Sequence, residues 1–264
     1  MDFLKCYKNL NVAITGGLGM LGSTIAHLLA DSGANITLID SMLEPYGGNL
    51  FNICDIRDKV TVNFSDIRDK NSLKYLLINK DIVFNLAAQV SYTESLYDPY
   101  TDLEINCLGH LNVLETLRKY NPSAKIIFSG SRLEYGKIHF NPVRENHQVV
   151  PESIYAIHKY TAERYYQIYH TIHNIDAVCF RISNPYGPRQ QMKHSQYGIV
   201  NWFIKMAMNG EKIKIFGKGE QIRDYIYVEE LAKALILAAI NKNTTGEVYN
   251  VGSEDRIDVK RIAR

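Results

Sequence analysis

Cysteine is scarce and scattered. Cys6, Cys54, Cys107 and Cys179 are the only four, and no two form a CxxC pair. That spacing offers neither a disulfide framework nor a metal knuckle, and it fits reduced core thiols in a cytosolic protein. The eight histidines form no HExxH-type group, so no metal site is expected. An excess of one charge is also missing. The formal net charge of +2 excludes the strongly basic footprint of a nucleic-acid or anionic-membrane binder. The longest apolar run, Ala234 to Ile240, is far shorter than the ~20 residues a membrane span needs. Lys5 and Lys8 interrupt any apolar stretch near the start, so no signal peptide is legible. Internal repeats and low-complexity linkers are absent. What remains is a chain of 264 residues with an ordinary apolar share. It can bury a substantial core, as one large α/β domain or as one domain with a small appendage.

One stretch organises the rest: Asn11-Val-Ala-Ile-Thr-Gly-Gly-Leu-Gly-Met-Leu-Gly22. Val12 to Ile14 reads as a buried strand that breaks into Gly16, Gly17, Gly19 and Gly22. Leu21, Ile25, Leu28 and Leu29 then recur at helical spacing, with Gly33 as a stop. Strand, glycine turn and helix together suit a diphosphate. Glycine lets the backbone approach the ligand, and the helix start offers free N–H groups and partial positive charge. The next strand, Asn35 to Ile39, ends in Asp40, about 20 residues further on, where a carboxylate can hold ribose hydroxyls.

Strand and helix patterns alternate from there. Strands are predicted at Val60–Phe64, Asp81–Leu86, Lys125–Phe128 and Ala177–Ile182. Helices are predicted at Leu73–Ile78, about Tyr100–Tyr120, and Ser153 to about His173. Such alternation means right-handed crossovers and a doubly wound parallel sheet, with ligands at the carboxyl ends of its strands. Gly16, Asp40, Asp66, Ala87, Ser129 and Asn184 all follow strand ends. After Ile182 the regularity fades. Asn184–Arg189 is turn-rich, and 190–198 is polar and reads as mobile. A helix at Ile199–Met208, a short strand at Lys212–Phe216, a helix at Val228–Ile240, a strand at Glu247–Val251 and a final helix from Val259 complete the reading. The expected organisation is a Rossmann domain over 1–182 and a smaller substrate lobe over 183–264, interleaved with it and closing over the sheet edge.

Tyr155 and Lys159 lie four apart at the start of a helix and share a face. A nearby ammonium favours phenolate, which suits tyrosine to acid/base work. With 18 tyrosines, one Tyr-x-x-x-Lys is expected by chance, so the pair alone carries little. Ser131 adds weight, because it brings a hydroxyl to the same sheet edge after the fifth strand. A turn or cap residue is the other reading of that serine.

Taken in order, the motifs resemble an extended short-chain dehydrogenase/reductase of the nucleotide-sugar epimerase/dehydratase family. They are Thr15-Gly-Gly-Leu-Gly-Met-Leu-Gly22, Asn85-Leu-Ala-Ala88, Asn106, Ser129-Gly-Ser131, Tyr155-x-x-x-Lys159, Arg181-x-x-Asn-Pro-Tyr-Gly-Pro188, Arg223-Asp-Tyr-Ile-Tyr-Val228 and Tyr249-Asn-Val-Gly-Ser253. The resemblance implies NAD lying along Gly16, Gly19, Met20, Leu21, Gly22, Leu86, Ala87 and Ala88. It implies Asp66 and Ile67 at the adenine, although Asp66 also reads as a turn residue. Asp40, with no Arg or Lys from Ser41 to Tyr46, favours NAD over NADP, since a 2′-phosphate would be repelled and lack a cation. It further implies Tyr155 as the phenolate that takes a sugar hydroxyl proton while hydride passes to the nicotinamide. Ser131 would hold the reacting oxygen, and Lys159 the nicotinamide ribose. Asn184 would touch the sugar or its phosphate, and Arg189 and Arg223 are the candidate cations for the nucleotide diphosphate.

Subclass rests on departures. Dehydratases of the family follow the catalytic hydroxyl residue with acids that expel the leaving hydroxyl. Here Arg132 and Leu133 follow Ser131, and Glu134, one place late, would point away if that segment is extended. That favours an epimerase, foremost at C4 of a UDP-hexose, over a dehydratase or keto-sugar reductase; a silent NAD-binding protein is the reading from another class. Asn85 stands where many relatives carry histidine, and Gly130 where many carry serine. Relatives continue for some tens of residues past the position of Arg264, so the resemblance implies a chain cut short there. The Tyr100–Tyr120 helix carries Leu103, Cys107, Leu111, Leu114 and Leu117 on one face, and Ile105, Leu108 and Val113 elsewhere. Relatives dimerise through this helix and the Tyr155 helix, which implies a homodimer.

Overall fold

The computed structural model describes residues 2–264. Strand β1 (Asn11–Thr15) runs into the glycine turn and then helix α1 (Met20–Leu29). β2 (Asn35–Ile39) and β3 (Val60–Asn63) follow. Asp69 caps α2 (Lys70–Leu77) by accepting from Asn71 N–H, and β4 (Ile82–Asn85) comes next. Ser91 caps the short α3 (Tyr92–Tyr97), and Asp98 caps α4 (Pro99–Leu103), with Pro99 in the first turn where no donor is needed. A π-helical turn at Glu104–Gly109 joins α4 to α5 (His110–Tyr120). β5 (Lys125–Ser131) and α6 (Ile154–His173) complete this part, α6 capped by Ser153 and ended by Asn174 in the left-handed region. β6 (Asp176–Ile182) is the last strand of the regular alternation.

The π turn corrects the sequence reading of the Tyr100–Tyr120 helix. Its extra residue rotates the following chain, so the faces assigned by a constant helical period do not persist across it. Ile105 and Val113 are buried in one cluster with Leu114 and Leu117, whereas Leu103 and Leu108 face solvent.

Seven strands form one parallel sheet in the order β10-β6-β5-β4-β1-β2-β3, where β10 is Val248–Val251. Alternation along each strand feeds two cores. Val12, Ile14, Phe84 and Val178 meet Ile25 and Leu29 of α1 on one face. Ala13, Val83, Ile126 and Cys179 meet Leu73, Leu117 and Tyr166 on the other. The strand order reverses between β1 and β4, which opens the ligand crevice at their carboxyl ends.

Past β6 the chain leaves the sheet. β7 (Asn184–Tyr186) is followed by α7 (Ile199–Met208), β8 (Ile222–Arg223) and β9 (Tyr225–Tyr227). The strand expected at Lys212–Phe216 is absent; those residues run as irregular, mostly exposed chain with no ladder partner to hold an extended conformation. α8 (Val228–Ile240) then returns to cover the α1 face of the sheet, and β10 adds itself in parallel to the β6 edge. β11 (Ile257–Asp258) pairs antiparallel with β8 before α9 (Val259–Ile262). All four cysteines are free, but only Cys107 and Cys179 are core thiols. Cys6 and Cys54 lie at the surface, because both fall in short 3-10 turns outside the sheet layers.

Candidate active site

A cleft of about 390 Å³ opens at the crevice, lined by the glycine turn, the ends of β2, β4, β5 and β6, and the start of α6. Gly16 takes a φ of +63°, and a Cβ there would stand 2.9 Å from Ala87 N. A Cβ on Gly22 would stand 2.3 Å from Gly16 O. Only glycine allows the turn to close so tightly on α1 and β4. Gly16, Gly19, Met20, Leu21 and Gly22 all line the cleft, as do Leu86, Ala87 and Ala88 across from them. The β4 side is held by Thr15, whose hydroxyl accepts from Leu86 N–H (3.0 Å) and Ala87 N–H (3.1 Å) and donates to Asn85 Oδ1 (2.5 Å). Asn85 therefore does more than pack. Its amide also donates to Tyr166 Oη (2.6 Å) in a fully buried polar cluster with His110.

Asp40 ends β2 on the cleft wall. Its Oδ2 accepts from Leu18 N–H (3.0 Å) and its Oδ1 from Met42 N–H (2.9 Å), so it braces the glycine turn; burial pushes its carboxyl up while these amides pull it down. Asp66 and Ile67 line the same end. Asp66 is paired to Arg68 (2.7 Å) and Ile67 is buried. Segment 190–198, read from sequence as mobile, crosses this end. Tyr197 Oη donates to Pro45 O (3.3 Å) and Lys193 Nζ to Glu44 O (2.9 Å), and Gln190 bonds the Tyr197 carbonyl.

Ser131, Tyr155 and Lys159 come together at the ends of β5 and α6. Burial drives the Tyr155 phenol up, the Ser131 hydroxyl and the Arg132 charge pull it down, and the Glu134 and Asp102 carboxyls add to the rise. Sequence reasoning assigned the downward pull to Lys159. In the structure the Ser131 hydroxyl and the Arg132 charge lead that pull, and the net shift is upward because the phenol is buried with carboxyls nearby. Lys159 lies over the Phe128 ring (4.6 Å), is buried, and its Nζ has no hydrogen-bond partner among the described residues. Burial lowers its ammonium, and the Glu134 and Asp102 carboxyls oppose that. The neighbouring His158 is tied to buried Asp102 (2.6 Å), which also accepts from Gln89 (2.9 Å) and Asn106 (3.0 Å), fixing this end of α6 to α4 and the π turn.

Glu134 does not lie on extended chain. It sits in a 3-10 turn, Arg132–Tyr135, and folds under the serine, where its Oε1 accepts from Ser131 N–H (2.6 Å) in a capping box. It is fully buried beside the Glu163–Arg181 pair, and burial holds its carboxyl well above the ordinary range. Arg132, by contrast, lines the cleft and donates through Nε (3.3 Å) and Nη2 (3.0 Å) to Asn184 Oδ1. Asn184 lines it too, and its Nδ2 donates to Asp224 O (2.7 Å), tying β7 to the residue that precedes β9. Arg189 and Arg223 are outside the lining. Arg189 donates to Thr24 Oγ1 (3.0 Å) on α1, and Arg223 is exposed on β8, near enough for its charge to act on Arg132. Sequence reasoning treated Arg132 only as a departure from the dehydratase pattern. Its place directly after a strand-end serine was the signal that it faces the cleft.

The comparisons agree with this geometry. A profile of the NAD dependent epimerase/dehydratase family matches residues 12–252. The chain belongs to that family. Among solved structures it is similar to a UDP-N-acetylglucosamine 4-epimerase from Methanobrevibacter ruminantium in complex with UDP-N-acetylmuramic acid, at 34% identity and a TM-score of 0.91, covering 97% of this chain and 80% of that one. A Thermus thermophilus UDP-glucose 4-epimerase in complex with NAD matches at 29% identity and a TM-score of 0.85, over 96% and 81% of the two chains. The CDP-paratose 2-epimerase of Salmonella typhi is 30% identical over 92% of this chain and 79% of its own length. NAD is the family member's cofactor, and the residues present fit it. At Gly16 and Gly22 a Cβ would run into the backbone of β4's end and of the turn itself, so the tight turn on the cleft wall stands only with glycine. Lys159 Nζ and Ser183 Oγ are buried polar atoms on the cleft wall without hydrogen-bond partners among the described residues.

Proposed function

We propose that the protein is an NAD-dependent epimerase of a nucleotide-activated sugar, acting at C4 of a UDP-hexose by transient oxidation to a keto-sugar and return of the hydride. NAD, when bound, supplies the hydride acceptor and then the donor. Tyr155 would take the sugar hydroxyl proton and give it back, with Ser131 donating to the reacting oxygen. Lys159 would hold the nicotinamide ribose, and its ammonium would join Arg132 in favouring the phenolate. Gly16, Gly19, Met20, Leu21, Gly22, Leu86, Ala87 and Ala88 would cradle the dinucleotide, Asp40 its ribose, and Asp66 and Ile67 its adenine. Asn184, Arg189 and Arg223 remain the proposed sugar- and diphosphate-side contacts, with Arg189 and Arg223 reaching the cleft only by moving.

One observation carries epimerase over dehydratase. Among the described cleft-lining residues the only carboxylates are Asp40 and Asp66, both at the adenosine end, while Glu134 is turned inward under Ser131. A dehydration needs an acid beside the sugar to expel hydroxide. The test is a panel of nucleotide-hexoses followed by product analysis and absorbance near ~340 nm, where reduced nicotinamide absorbs. A C4 epimer without net NADH change supports the reading. A keto-deoxy product, net NAD(P)H consumption, or NAD binding without turnover would replace it with dehydratase, reductase or silent binder. Tyr155→Phe should abolish turnover while NAD still binds; full activity in that variant would remove Tyr155 from the mechanism. A homodimer is part of the proposal. Tyr97, Tyr100 and Leu103 are exposed on α3 and α4, and Ile157, Ile168 and Ile172 on α6. A monomeric mass at micromolar concentration would refute it.

A further inference from the structure

Arg132 is a cation beside the reacting groups with no counter-charge of its own. Two of its five N–H donors are spent on the neutral amide oxygen of Asn184, and Nη1 has no partner among the described residues. No described carboxylate lies within ion-pair distance. Asp224, whose charge acts on it, instead accepts from Ser253 N–H (2.9 Å) and Ser253 Oγ–H (3.3 Å). Arg223 adds a second positive charge to the same neighbourhood. A half-buried guanidinium without an ion-pair partner, near a second positive charge, is costly unless an anion arrives, and the fold still fixes it there through Asn184.

From this we infer that Arg132 is a specificity-determining residue that recognises a carboxylate on the sugar, so that the substrate is a nucleotide-linked hexuronic acid rather than a neutral hexose. The inference rests on the proposed nucleotide-sugar reading and narrows it. Position separates the carboxylate from the nucleotide diphosphate as the anion. Arg132 is the residue next to Ser131, and its charge acts on the Tyr155 phenol, so it stands at the end of the cleft where the sugar reacts. Arg223 lies outside the cleft lining, exposed on β8. The fork of a guanidinium matches a carboxylate with two parallel hydrogen bonds, whereas a neutral hydroxymethyl offers one uncharged acceptor.

Binding and turnover test the two readings separately. Calorimetry on the NAD-loaded Tyr155→Phe protein would compare UDP-glucuronic acid, UDP-glucose and UDP alone, with and without Arg132→Gln. The uronate should bind about tenfold or more tightly than the hexose, as expected for a charge-assisted pair, and Arg132→Gln should erase that ratio. Equal affinities for the two sugars overturn the inference. So does a loss in Arg132→Gln that is the same for both sugars and for UDP, which would make Arg132 a diphosphate contact. Retained NAD binding and an unchanged melting temperature of the variant exclude misfolding. Absence of turnover of any sugar by the unmutated protein counts against the epimerase reading while leaving the affinity ratio to be read on its own.

Discussion

Glu134→Gln should make the protein's stability less sensitive to pH, and the structure sets the size of the effect. The Glu134 side chain is fully buried, accepts from Ser131 N–H at 2.6 Å, and has its second oxygen without a hydrogen-bond partner, 3.7 Å from an Arg181 already engaged by Glu163. The fold thus prefers the protonated carboxyl, and its affinity for the proton is raised. Stability from that preference is complete below the ordinary glutamic value of ~4.3 and is lost as pH rises towards the higher folded value. One proton bounds the slope at about 1.4 kcal/mol per pH unit. Between pH ~5 and ~7 the ceiling is therefore about 3 kcal/mol. For a chain of this size that corresponds to roughly 6–12 °C in melting temperature. Glutamine keeps the acceptor for Ser131 and cannot ionise. Thermal unfolding of both proteins from acid to neutral pH, below the range where Lys159 titrates, should show the variant gaining on the parent as pH rises. A difference that stays flat, or runs the other way, would refute a protonated Glu134. Glu134→Ala should instead lose about 1–3 kcal/mol even at acid pH, because Ser131 N–H is left unpaired.

Gly22→Ala puts a methyl 2.3 Å from Gly16 O, where no flexible side chain can yield, so it should cost about 1–3 kcal/mol and abolish NAD retention; a variant that melts and binds NAD like the parent would contradict the cradle. Asp40→Asn removes the charge opposing a 2′-phosphate and should reduce the preference for NAD over NADP roughly tenfold in direct titrations. Lys159→Met removes an ammonium disfavoured by burial. The cofactor-free protein should melt higher near neutral pH, and the gain should shrink as pH rises towards the ordinary lysine value of ~10.4, while NAD binds more weakly. Melting curves with and without NAD read both effects.

The parallel sheet was legible because its strands are short, apolar and separated by helical patterns, and every strand to β6 lies within a residue or two of its expected place, β5 alone running on to Ser131. The glycine turn, Asp40, Ser131, Tyr155 and Lys159 were legible because strand ends collect on one edge. What escaped depends on information that a window of sequence does not hold. A π turn leaves the hydrophobic pattern intact on each side and changes only the phase between them, so Ile105 and Leu103 exchanged faces. Lys212–Phe216 alternates like a strand, yet no neighbouring edge is available to it. Glu134 and Arg132 differ in direction because a 3-10 turn, not an extended segment, follows Ser131, and that turn is set by the capping box itself.

The return of α8 and β10 to the sheet has a consequence for the order in which the chain can fold. Tyr7 Oη donates to Ile236 O on α8 (2.7 Å), across more than two hundred residues, and β10 closes the sheet by pairing Val248 with Cys179 of β6. Such closures are slow, because the entropy of a long loop is lost before the contact is gained. Until they form, the edge of β6 and the outer face of α1 stand open to other chains. The segment that carries Asn184, Arg189 and Arg223 is then a loop anchored at both ends in one sheet, and it should gain protection from hydrogen exchange only as that last strand docks.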